Sequence, residues 1–160
     1  MVLPAAAAIR IDTSGPLSLR NHRIFHHKNK QAYAIVGSDP DHKVISDVWL
    51  GKFDTQREYR CVLEHIFDLF SEESFHYWLT DLRFMNSDFH DSEDWLVKKF
   101  MPAAFEAGLE RQAVVLPDPA LKKEGAASNA LRSLADDRVR SFTDIQLAKQ
   151  WLLKRERPEA

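Results

Sequence analysis

The chain has 160 residues, of which 44% are apolar and 29% charged. That size holds one domain with short tails and excludes a two-domain enzyme, and the composition excludes a disordered or fibrous chain. With 22 Lys and Arg against 24 Asp and Glu the formal net charge is −2, which removes the electrostatic basis for a nucleic-acid binder or a membrane-surface protein.

Residues 1–9 imitate a short signal peptide, but they lack a positive n-region and Pro4 interrupts the apolar run. They are read as the start of a loose cytoplasmic tail covering residues 1–20. No apolar run approaches the roughly 18 residues that a bilayer requires, so no membrane span is expected. The domain is expected over residues 21–155, with residues 156–160 as a C-terminal tail.

Residues 31–37 favour a strand that stops at Gly37, and Pro40 with its neighbouring aspartates gives strong turn chemistry over residues 38–42. Residues 43–50 then alternate, with Val44, Ser46, Val48 and Leu50 on one face and Ile45, Asp47 and Trp49 on the other. Two strands about that turn make a hairpin. After Gly51 the period changes. Tyr59, Val62, Leu63, Ile66, Phe67 and Phe70 recur at helical spacing, with Asp54 or Thr55 as the cap. The single cysteine, Cys61, falls inside this pattern and is expected as a buried, inert thiol.

Residues 75–82 are apolar on both faces, as in a central strand covered by helices. Asp91 or Ser92 caps a second helix whose first turn is acidic and whose early apolar stripe is Trp95, Leu96 and Phe100. Pro102 is expected to break or kink it and to push Met101 out of the helical region, with a short piece then ending at Gly108. Residues 112–116 form a buried strand, residues 120–135 a weaker helix and residues 138–142 a last short strand. Thr143 to Gln146 reads as a capping box before a terminal helix with Ile145, Ala148, Trp151 and Leu152 on its apolar face. Strands alternating with helices imply parallel pairing, and the hairpin adds an antiparallel pair. The expected fold is α/β (α+β): a mixed, mostly parallel sheet begun by an antiparallel hairpin and flanked by about four helices.

Chemistry-bearing patterns are sparse. Seven histidines are scattered, and although His22 and His26 are four apart with His27 adjacent, their segment reads as coil or an edge strand. Spacing of four shares a face only on a helix, so no metal and no cofactor is expected. No nucleophile elbow, P-loop or dinucleotide fingerprint is present, and no catalytic residue is assigned. Asp81 and Arg83 share a side at the carboxyl end of a central strand, where open α/β sheets gather ligands. They line a pocket or, in the preferred reading, anchor the following loop. Ser92 heads a helix and is read as a cap; a phosphate there would meet free N–H groups but also Asp91, Glu93 and Asp94. Tyr33 and Trp49 on the hairpin, or a free sheet edge, would permit a homodimer.

The ordered set of Trp78, Thr80, Asp81 and Arg83, then Asp94, Trp95 and Leu96, then Pro102, then residues 107–115, resembles small bacterial members of the STAS, or SpoIIAA-like, superfamily. Residues 142–152 resemble the closing helix of that group. The resemblance covers residues 22–153 and implies a SpoIIAA-like fold in a regulatory, protein-binding or ligand-sensing domain rather than an enzyme. Members that are phosphorylated carry an Asp-Ser-Ser-Gly-like loop. Asp91 and Ser92 match its first two positions, making Ser92 the candidate phosphosite, whereas Glu93 and Asp94 depart from the rest. Other members resemble lipid-binding CRAL-TRIO domains, which implies a small apolar ligand as the alternative. The expected contact surface is the 84–100 loop and helix, with Asp81, Arg83, Asp91, Ser92 and Trp95.

Overall fold

A computed structural model of the protein describes residues 14–86, 89–117, 134 and 136–154. Six strands form one sheet in sequence order: β1 (Arg20–His26), β2 (Ala32–Asp39), β3 (Val44–Trp49), β4 (Tyr77–Asp81), β5 (Arg111–Val115) and β6 (Val139–Phe142). β1/β2 and β2/β3 pair antiparallel, whereas β3/β4, β4/β5 and β5/β6 pair parallel. The hairpin and the mixed, mostly parallel sheet are thus as the alternation requires. β4 is paired on both edges, and it is apolar on both faces because each faces a core cluster, Trp78 in one and Leu79 in the other.

The domain begins earlier than residue 21. Leu17 and Leu19 are 2% and 4% exposed and pack into the core. The Ser18 N–H donates to Asp39 Oδ2 at 2.8 Å, and β1 covers the edge of the hairpin. Lys149, fully buried on the last helix, donates to the Ser14 carbonyl. Of the segment expected as tail, residues 14–19 are therefore held against the core.

Helix α1 (Gln56–Glu73) follows β3. Thr55 caps it with a full capping box: Thr55 Oγ1 accepts from the Glu58 N–H at 3.2 Å and Glu58 Oε1 accepts from the Thr55 N–H at 3.3 Å. Tyr59, Val62, Leu63, Ile66 and Phe70 face the sheet, each such burial stabilising by about 1.5–3 kcal/mol. Cys61 falls between those positions on the helix wheel and is exposed, contrary to the expected buried thiol.

The second crossover is a composite. A 3-10 turn (His90–Ser92) leads into α2 (Glu93–Trp95), a π-turn (Leu96–Phe100) and α3 (Met101–Ala107). Pro102 does not break this run, and Met101 is helical at φ −63°, ψ −45°. The π-turn supplies the reason. Its wider ring bonds the Met101 N–H to the Leu96 carbonyl and sets Pro102 in the first turn of α3, where a missing N–H breaks no intrahelical bond. α3 ends at Gly108, whose φ of +127° suits glycine.

α4 (Ile145–Leu153) closes the fold on the opposite face of the sheet, against Val44, Leu79, Ala113 and Val115. Its cap is Asp144, not Thr143: Asp144 Oδ1 accepts from the N–H groups of Gln146 (2.8 Å) and Leu147 (3.3 Å). The helix expected over residues 120–135 lies almost wholly outside the described residues. Tyr33 and Trp49 are 4% and 1% exposed beneath α1, so the apolar surface patch expected of them does not exist. Among the described residues no helix is long and apolar enough to cross a membrane.

Candidate functional site

Alternation along β3 turns Ile45, Asp47 and Trp49 toward α1, and the parallel register sets Thr80 of β4 beside Asp47. A carboxylate thereby enters the apolar side of the sheet, where it is wholly buried. Its oxygens are divided between two indoles: Trp78 Nε1 donates to Oδ1 at 2.6 Å and Trp49 Nε1 donates to Oδ2 at 2.7 Å. The Thr80 hydroxyl donates to Asp47 as well. It accepts from Gln112 Nε2 at 2.9 Å, which extends the polar line across β5. Burial pushes the Asp47 carboxyl up, the three hydrogen bonds pull it down and Asp81 adds a further upward push, leaving it at about 6.

This polar line forms the floor of a cavity between the sheet and the helices. Its volume is about 50 Å³, and it opens to solvent at its mouth. Leu96 and Val97 of the π-turn, Met101 of α3 and Leu63 of α1 supply aliphatic walls, while Trp49, Tyr59, Trp78 and Phe89 supply rings. Tyr59 and Phe89 stack with centroids 4.9 Å apart and planes 3° from parallel. Burial, with the nearby Asp47, holds the Tyr59 phenol well above its ordinary value. A mostly apolar cavity with a few convergent polar groups is the usual form of a small-molecule site.

The residues singled out in the sequence are not among those that line this cavity. Asp81 lies on the α4 face, level with Val48 and Val115 and 1% exposed. Arg83 clamps it through Nε at 2.9 Å and Nη2 at 2.8 Å, and the Arg83 N–H adds a third bond at 3.1 Å. That is the loop anchor preferred from the spacing. Ser92 makes no capping bond. It is buried, donating to Gln56 Oε1 at 2.7 Å and accepting from Arg60 Nε at 3.1 Å, so it ties the 3-10 turn to α1. Asp91 is exposed, and half-buried Trp95 packs under the Arg60 guanidinium, 5.1 Å from its ring centre. Ser92 and Trp95 therefore hold the wall of the cavity in place.

His27, Asp54 and Glu58 come together at the start of α1 and could hold a divalent ion. His27 Nε2 is 2.7 Å from the Lys52 carbonyl and Nδ1 is 2.9 Å from Glu58 Oε2. Both partners are acceptors, so both bonds require the imidazolium. Burial opposes that charge, but Glu58 and the Lys52 carbonyl outweigh it and raise the His27 pKa. A proton at Nδ1 fills the position a metal would take, and the ion pair accounts for the cluster. Compared with known protein families and with curated proteins, the chain matches none.

Proposed function

We propose that the protein is a non-catalytic regulatory domain of the cytoplasm that senses a small, mostly apolar molecule bound between its sheet and its helices. The observation that carries this reading is the cavity over Asp47, whose outer wall is built by Phe89, Leu96 and Val97. These belong to the 84–100 segment, the surface expected to meet a protein partner. Occupancy would set the packing of that segment, and the segment would present the result to the partner. The resemblance to small bacterial STAS-like domains supports a regulatory role.

A second reading is a protein-interaction module in which the cavity is incidental. Phe84 favours it, a phenylalanine 53% exposed at the tip of the loop after β4 and beside the Arg83 guanidinium. The two readings separate in a thermal-shift screen of small apolar compounds against the wild type and Val97→Trp, a change that fills the cavity. Ligand sensing predicts compounds that raise Tm by about 5–10 °C in the wild type, as saturation at about 100 times Kd would, and leave the filled variant unmoved. Equal shifts in both proteins, or none in either, would refute it.

A further inference from the structure

We propose that the cavity takes a small organic amine, bound as its ammonium ion, with Asp47 as counter-charge and the rings of Trp49, Tyr59, Trp78 and Phe89 around it. The inference rests on the reading of the cavity as a ligand pocket and adds the chemical class of the ligand.

Asp47 is wholly buried, and among the described residues its donors are uncharged: two indole N–H groups and one hydroxyl. Among the described residues that line the cavity there is no Lys, Arg or His. Buried carboxylates are normally paired with a cation or a metal, because neutral dipoles only partly replace lost hydration. The cavity is thus an anionic pocket for which the described walls provide no counter-ion.

The remaining wall chemistry has the same sign. Aromatic faces present negative electrostatic potential and attract an alkylammonium group, more strongly when it is desolvated. A carboxylate or phosphate ligand would meet repulsion from the floor and from the rings alike. A neutral hydrocarbon would fill the space and leave the charge unanswered.

The test compares benzylamine, benzyl alcohol and benzoate, which share a ring and differ in charge, at neutral pH. Trp49 and Trp78 report binding by fluorescence, and isothermal titration gives the affinity. Benzylamine is expected to bind saturably and at least about tenfold more tightly than benzyl alcohol, with benzoate weakest. Asp47→Asn should bring amine and alcohol to within a few-fold of each other, and Val97→Trp should abolish both. The wild-type series decides the matter even if Asp47→Asn does not fold. Alcohol binding as well as amine, with Val97→Trp blocking both, would overturn the amine assignment and leave the pocket standing. No binding by any of the three, or amine binding unchanged in Val97→Trp, would overturn the amine assignment, and the thermal-shift screen then judges the pocket separately.

Discussion

Asp47 provides a quantitative test through its effect on stability as pH changes. In the folded protein its carboxyl titrates near 6, against 3.8 for an unperturbed aspartate. The folded state therefore holds this proton more tightly than the unfolded chain does. Stability from Asp47 is greatest in acid and is lost as pH rises through the unfolded value toward the folded one. The displacement is about two units, and at roughly 1.4 kcal/mol per unit the loss is on the order of 3 kcal/mol. The side chain is fully buried, so solvent screening does not reduce it. Asp47→Asn keeps the shape and removes the titration. Urea unfolding followed by tryptophan fluorescence, on both proteins from about pH 4 to pH 7, cancels all other ionisations in the difference between them. The variant should gain about 2 kcal/mol relative to the wild type across that range, the rest of the loss falling below pH 4 and above pH 7. A difference that stays flat with pH would show that Asp47 keeps an ordinary carboxyl and would refute the electrostatic description of the floor.

Three further outcomes follow from the same contacts. Arg83→Ala deprives the buried Asp81 of its two guanidinium bonds and should lower stability by about 1–3 kcal/mol, read as a fall in Tm; an unchanged Tm would mean the loop has no such anchor. Ser92→Ala removes the bonds to Gln56 and Arg60 and should cost about 1–2 kcal/mol in a urea titration, whereas a serine that merely faced solvent would cost nothing. His27 has a raised pKa and Glu58, despite partial burial, a lowered one through its bonds to the Asp54 N–H and His27. The histidine's contribution is present below its ordinary 6.5 and lost as pH rises through the raised value, and the glutamate's is present above 4.5 and lost as pH falls through the lowered value. Their joint stabilisation is therefore greatest between those ordinary values. An NMR titration should place the His27 midpoint above 6.5, and Glu58→Gln should lower it; a midpoint indifferent to Glu58 would contradict the pairing.

Much of the architecture is legible in periodicity because one face of each element must be buried. The apolar stripe of α1 and the unbroken apolar run around β4 each admit one placement. Local chemistry misled where two solutions compete. Thr143 and Asp144 can both cap, and the carboxylate wins with two N–H groups in reach. Pro102 signals a break, yet a π-turn absorbs it. Cys61 sits within the helical pattern but off its buried stripe. Leu17 and Leu19 show no period because they are anchored by contacts distant in sequence. The site itself carries no motif. The alternation that separates Ile45, Asp47 and Trp49 from their neighbours does contain it: an aspartate between two bulky apolar residues on one face of a strand has to be either solvated or answered inside. Which of these holds depends on Trp78, Thr80 and Gln112, brought alongside by strands that are neighbours only in the folded sheet.

The most direct test of a ligand pocket between the sheet and the π-turn uses the methionine methyl groups. Met101 lines the cavity, whereas Met85, 4% exposed in the same core cluster, does not. With methyl-labelled methionine and added benzylamine, the Met101 resonance should shift saturably while Met85 stays in place. A motionless Met101, or equal drift of both methyls without saturation, would contradict it.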